Sequence, residues 1–252
     1  GILDRLNFSE YETASEAGLM KALRQKKHQI ALLTAVADIS GLWSLDQVTA
    51  ALSDFAQRAL QLAVSRLLVD QAASGQISLP SLTDPCRGCG YTILGMGKLG
   101  ARELNYSSDI DLIVLYDDEI VRYTGDRSLG ECMVRLTRDL VRIMQERTGD
   151  GYVFRTDLRL RPDPRATPAA LNMAAAENYY ESTGLNWERA AMIKARPVAG
   201  DLAVGEEFIQ RISPFVWRKH LDFAAVQDIH AIKHQIHRHH GHGAITVAGH
   251  DV

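Results

Sequence analysis

Two aspartates one residue apart, Asp109 and Asp111, follow a glycine-rich stretch, Gly95-Met-Gly-Lys-Leu-Gly100. A third, Asp157, stands among Arg155, Arg159 and Arg161. Carboxylates side by side on one face repel each other, and a divalent cation satisfies both. Hard oxygen donors select Mg²⁺ or Mn²⁺, and Mg²⁺ commonly joins a few carboxylates to substrate phosphates. Glycines let a chain turn sharply while its backbone N–H groups approach a phosphate, and Lys98 adds a positive charge there. Guanidiniums grip phosphate oxygens bidentately. These types predict metal-assisted transfer of a phosphate-bearing group. Asp109, Asp111 and Asp157 are the expected metal-binding and catalytic carboxylates. Gly95, Gly97, Lys98, Ser107, Ser108, Arg159 and Arg161 are the expected phosphate or nucleotide contacts. A lone glycine turn is usually an ordinary loop, and an isolated Asp-x-Asp a solvated strand edge; the order of all three parts makes the constellation specific.

The elements that would position these groups follow from periodicity. Tyr91-Thr-Ile-Leu94 reads as a short buried strand ending at the glycine turn. In Asp109-Ile-Asp-Leu-Ile-Val-Leu-Tyr116, alternation places Asp109 and Asp111 on one face and Ile110, Leu112 and Val114 on the other. The run Gly151 to Pro162 reads as an alternating strand, with Tyr152, Phe154, Leu158 and Leu160 apolar and Arg155, Asp157, Arg159 and Arg161 opposite. Between them, Leu129, Met133, Leu136, Leu140 and Ile143 recur at helical spacing, predicting a helix over 128–147 that packs on the sheet.

Upstream, Leu19, Leu23, Ile30, Leu33 and Ala37 carry helical spacing, and Ser44-Leu-Asp-Gln47 reads as a capping box opening a helix through Leu68. The proline- and glycine-rich segment 78–90 reads as a linker. Beyond Pro168, helical signal returns in 169–180, 187–196, 206–212 and 222–240. The expected organisation is a helical region and linker over 1–84, a catalytic core over 85–165 and a helical region over 166–252. The fold class is α+β.

Composition sets the broad class. The 252 residues are 46% hydrophobic and 23% charged, enough to bury a sizeable core, and the net charge of −3 argues against broad nucleic-acid binding. No apolar run reaches the length of a membrane span and Gly1-Ile-Leu-Asp-Arg lacks a signal-peptide pattern, so the cytoplasm is expected. Cys86-Arg-Gly-Cys89 is a single Cys-x-x-Cys with Cys132 distant, too few ligands for zinc, and reads as incidental thiols in a loop. Seven of nine histidines lie from His230 onward, including His237-Arg-His-His-Gly-His242, where Ile229, Ile232 and Ile236 run through at helical spacing. They read as an exposed helix end and loop.

The runs Gly95 to Tyr116, Asp157-Leu-Arg-Leu-Arg-Pro162 and Asn186-Trp-Glu-Arg-Ala-Ala-Met-Ile-Lys-Ala-Arg196 resemble the bacterial glutamine synthetase adenylyltransferase/adenylyl-removing enzymes. That resemblance covers most of the chain. It implies a nucleotidyltransferase core of the DNA polymerase β-like kind, with a small mixed sheet flanked by helical regions. The family has two related halves, one removing AMP from a tyrosine of glutamine synthetase and one attaching it. Met96-Gly-Lys-Leu-Gly100, Ser107-Ser-Asp-Ile-Asp111 and Trp187-Glu-Arg-Ala-Ala-Met-Ile-Lys194 are similar to the removing half. The resemblance also predicts a Gly-Arg-Gly-Gly-Ile-Arg-Glu segment beyond Val252.

What the resemblance implies is phosphorolysis: phosphate attacks adenylyl-tyrosine and ADP leaves. ATP-dependent adenylylation of the same tyrosine is the alternative, since the carboxylates serve either direction. Glutamine synthetase is then the protein substrate, the nitrogen-signalling protein PII a partner, and phosphate, ADP and ATP the small ligands. By themselves Trp187, Glu188, Arg189, Lys194 and Arg196 read as an amphipathic helix with a solvated charged face. With the resemblance, Lys194 and Arg196 become phosphate contacts, Glu188 orients a neighbouring arginine, and Trp187 stays structural. A docking module without its own activity, and a nucleotidyltransferase acting on a small molecule such as an aminoglycoside, are the other readings; the last leaves the match from Trp187 to Arg196 unexplained.

Overall fold

A computed structural model describes residues 15–217. The expected helix over 222–240 and the histidine-rich stretch lie outside the described residues.

The described residues open with an antiparallel helical pair. Helix α1 (Glu16–Ile39) is capped by Ser15, whose side chain accepts from the Gly18 N–H. Gly41, at φ +68°, turns the chain back. Helix α2 (Leu45–Ala73) begins with the predicted capping box, Ser44 and Gln47 each accepting the other's backbone N–H. It runs a turn beyond the expected end at Leu68.

A mixed sheet follows, built around β2 (Tyr91–Gly95), every residue of which is buried. A two-residue strand, β1 (Ile77–Ser78), precedes it and pairs with β4 (Arg122–Tyr123) as a separate ribbon. Strand β2 pairs antiparallel with β3 (Ile110–Tyr116) on one side and β7 (Arg196–Gly200) on the other. Along its free side β3 takes two short parallel partners, β5 (Thr156–Asp157) at its start and β6 (Leu171–Asn172) at its end. Between β2 and β3 lies a single helical turn, α3 (Gly97–Gly100).

Alternation along β3 sends its two faces into different cores. Ile110, Leu112 and Val114 pack with α1, α2 and α4 (Leu129–Gln145), while Ile113 and Leu115 pack with α5 (Met173–Ser182) and α7 (Leu202–Val216). Helix α4 carries the predicted stripe, with Met133, Leu136, Leu140 and Ile143 buried against the sheet. Alternation therefore puts Asp111, at the start of β3, on the α5/α7 face, with Asp109 just before the strand.

Two expectations are corrected. The alternating strand over 151–162 shrinks to β5, because Arg161 binds nearby carbonyls and folds 158–167 into turns. The helix over 187–196 ends earlier: α6 is Asn186–Met192, and Arg196 opens β7. The expected division at 165/166 does not coincide with a break in the sheet, since residues 171–172 and 196–200 pair with β3 and β2. Among the described residues, no helix is long and apolar enough to cross a membrane.

Candidate active site

Asp111 and Asp157 stand opposite each other as Cα partners on the parallel strands β3 and β5. Asp111 is half-buried, and its carboxylate forms no hydrogen bond or ion pair among the described residues. Burial pushes its pKa above the usual carboxylate value; the charges of Asp157 and Asp109 push the same way, against Arg159 and Lys98. Asp157 behaves oppositely. Its carboxylate accepts from Arg159 Nε at 2.9 and 3.0 Å and from the Arg159 backbone N–H at 2.8 Å, and these bonds hold its pKa below the usual value. The pair thus has one carboxylate that holds its charge readily and one that lacks a counter-ion.

Asp109, just before β3, is paired with Arg155, whose Nη2 also donates to the Ser107 carbonyl at 2.9 Å. Ser107 sits at φ +56°, so the loop bends sharply at the residue Arg155 holds. Arg155, read in the sequence with Arg159 and Arg161 as a guanidinium that could grip phosphate, is engaged here with Asp109 and Ser107. Ser108 is half-buried in the same turn and gives its backbone N–H to the Asn105 carbonyl.

Of the glycines, Gly97 borders the carboxylates. It adopts φ +50°, and a Cβ there would lie 3.2 Å from Asp111 Oδ2. Lys98 beside it is exposed. Gly95 and Gly100 serve packing: a Cβ at Gly95 would meet Val198 at 2.7 Å, and one at Gly100 would meet the Lys194 carbonyl at 1.9 Å. Gly95 was expected against phosphate, yet the space beside it is filled by Val198 and Leu99.

No group of three or more His, Cys, Asp or Glu side chains among the described residues is gathered as a metal cage. Asp109 and Asp157 each turn to an arginine instead. The donor chemistry still suits a hard cation: Asp111 is uncompensated, and Arg159, which covers Asp157, is 84% exposed.

The glutamate-ammonia ligase adenylyltransferase family model matches residues 5–211. The chain belongs to that family. It is 52% identical over its whole length to the bifunctional glutamine synthetase adenylyltransferase/adenylyl-removing enzyme of Brucella suis biovar 1 (strain 1330), covering 26% of that protein. To the protein of the same description from Rhizobium meliloti (strain 1021) it is 54% identical over 94% of this chain and 24% of the relative. To that from Xanthobacter autotrophicus (strain ATCC BAA-1158 / Py2) it is 53% identical over 95% and 24%. The chain thus spans about a quarter of the length of these relatives.

The basic residues expected to reach phosphate divide sharply in this member of the adenylyltransferase family. Lys98 and Arg159 border the carboxylates, whereas Arg161, Lys194 and Arg196 are engaged elsewhere. Arg161 donates to the carbonyls of Leu158, Pro164 and Thr167 at 2.7, 2.8 and 3.1 Å, and burial lowers its pKa. Lys194 is paired with Glu103 at 2.7 Å. Arg196 donates to Gln57 Oε1 at 2.8 Å and to the Gly100 carbonyl at 3.2 Å, tying β7 to the glycine turn and α2. Its role there is to brace the turn.

Among the described residues Glu188 forms no hydrogen bond or ion pair with an arginine. Buried at 2% exposure, it accepts from the Leu185 N–H at 2.8 Å and from Tyr179 Oη, capping α6, while Arg189 donates to Asn186. Trp187 is half-buried. Cys86 and Cys89 lie in the loop before β2, as expected, and with Cys132 on α4 they are buried in the first core, where burial pushes the Cys86 thiol up to about 11.

Proposed function

We propose that this chain is the adenylyl-removing nucleotidyltransferase unit of a glutamine synthetase-modifying enzyme, with a DNA polymerase β-like core. What supports this reading is the uncompensated Asp111 carboxylate, facing Asp157 across parallel strands and bordered by the Gly97 turn. The resemblance from Trp187 to Lys194 favours removal over attachment.

Inorganic phosphate attacks the α-phosphorus of adenylyl-tyrosine, forming a new P–O bond as the bond to the tyrosine oxygen breaks. ADP and the free tyrosine result, the phenolate taking up a proton. Asp111 and Asp157, with Asp109, would hold Mg²⁺ or Mn²⁺, which polarises phosphoryl oxygens and stabilises the leaving oxygen. Arg159 moves from Asp157 to the incoming phosphate, and Lys98 offsets charge on the AMP group. Gly97 keeps the backbone low enough for the phosphate to approach Asp111. The same reading makes PII an effector partner and the cytoplasm the site of action.

The test incubates the purified chain with adenylylated glutamine synthetase, phosphate and Mg²⁺, following ADP. Phosphate-dependent ADP that disappears in the Asp109→Asn/Asp111→Asn variant supports the reading. AMP transfer from ATP with release of pyrophosphate reverses the direction. Binding of glutamine synthetase without either product makes the chain a docking piece.

A further inference from the structure

The face of α4 turned away from the sheet borders a cavity of about 460 Å³ that the proposed reaction does not use. Its lining is uneven in charge, with Arg127, Arg135 and Arg138 set against Glu131 alone. Arg142 is engaged with Glu16, Arg155 with Asp109, Arg159 with Asp157 and Arg211 with Glu177 and Glu207, whereas exposed Arg87, Arg122 and Arg165, apart from one another in the sequence, have no such partners among the described residues. The guanidiniums of Arg127, Arg135 and Arg138 make no hydrogen bond or ion pair among the described residues. Even Glu131, four residues before Arg135 at a spacing that suits an ion pair, does not take one.

Helical geometry explains the grouping. Arg135 and Arg138 lie three residues apart on one helix face, and Arg127 precedes the N-cap Ser128 on the same border. Three like charges around one concavity raise its potential and attract an anion. Val134 and Pro168 supply an apolar surface beside the cations. The volume falls in the range of small-molecule sites, roughly 300–1,000 Å³.

We propose that this cavity binds a compact organic polyanion, a small molecule with two or more phosphate or carboxylate groups held by Arg127, Arg135 and Arg138. Guanidinium forks fit both oxyanions. The site is separate from the carboxylate pair. Neither Asp109, Asp111 and Asp157 nor their arginine partners line the cavity. Along α4 its last lining residue, Arg138, precedes Met144, whose carbonyl accepts from the Val153 N–H on the way to β5, by about 9 Å of helix.

Calorimetric titration of the full chain with inorganic pyrophosphate and, separately, citrate tests this, in 150 mM NaCl without divalent metal. Arg135→Gln/Arg138→Gln should weaken binding about tenfold or more. Arg87→Gln, at an exposed arginine outside the cavity and the carboxylate pair, should leave it unchanged, and Lys98→Gln/Arg159→Gln should remove only binding at the carboxylates. Both arginines of the first variant are exposed, so its melting temperature should match the wild type. Preference for pyrophosphate assigns a phosphate-bearing ligand, and preference for citrate a polycarboxylate. Equal binding by all proteins, loss only in Lys98→Gln/Arg159→Gln, or no binding at this salt overturns the proposal. So does capture of an acidic peptide when both small anions fail.

Discussion

Asp111 and Asp157 face each other on parallel strands, yet only Asp157 has a counter-ion, Arg159. A shared cation is the partner that would complete the pair. Mg²⁺ or Mn²⁺ should therefore stabilise the wild-type chain, by about 2.7 kcal/mol at a hundred times the dissociation constant. Thermal melting with and without the ion measures it, and Asp111→Asn should abolish the shift. The same substitution, or Asp157→Asn, should lower phosphate-dependent ADP release about a hundredfold or more. An unchanged metal-induced shift in Asp111→Asn would remove that residue from the metal site.

Gly97 and Gly100 stand in one short turn but should fail differently when given a methyl group. At Gly100 the Cβ would fall 1.9 Å from the Lys194 carbonyl and 2.5 Å from the Gly95 carbonyl, both backbone. Gly100→Ala must push β7 from the turn and should cost more than about 2 kcal/mol in urea unfolding. Gly97→Ala meets only the Asp111 carboxylate and a positive φ, so roughly 1 kcal/mol is expected, with a larger proportional loss of ADP release. Equal unfolding midpoints would refute this division of roles.

Arg24 is fully buried, and its guanidinium donates to four carbonyls: Met20, Ile143, Glu146 and Gly151. It pins α1 to the end of α4 and to the turn that leads into β5. Arg24→Ala leaves those acceptors unpaired around a cavity and should cost about 3–5 kcal/mol. Chemical denaturation checks this; a loss below about 1 kcal/mol would mean that water or a repacked side chain replaces the pin.

Local signals carried far in this chain. The Ser44 capping box, the α4 stripe and the buried strand from Tyr91 each depend on neighbours a few residues away, and each occurs where its pattern predicts. Arg161, Lys194 and Arg196 depend on distant partners. The Thr167 carbonyl, Glu103 and Gln57 bind them, and no spacing in the sequence reveals those contacts. Strand β7 escaped for a related reason: Pro197 and the apolar residues after it resemble a helix end until β2 offers an edge to pair with. The carboxylates stand out in the sequence by their chemistry rather than by their packing. Their pairing with Arg155 and Arg159 required the folded register of β3 against β5.

Glu188 gives a pH-dependent test of whether the Trp187-Glu188-Arg189 motif acts through charge. Burial raises its carboxyl pKa, against the lowering effect of the Leu185 N–H and Tyr179 hydroxyl bonds. A raised folded-state value means that protonation favours the fold: the contribution is complete below the ordinary value of about 4.3 and is lost as pH rises through the folded value. Ionised Glu188 therefore weakens the protein at pH 7. Glu188→Gln keeps an acceptor for both donors and should melt higher than wild type at neutral pH, the gap closing below about pH 4. Pairing with a guanidinium would have lowered the pKa and reversed the sign, so a less stable Glu188→Gln at pH 7 would restore the arginine-orienting role. A variant that melts higher yet loses ADP release would place the Glu188 charge in the reaction itself.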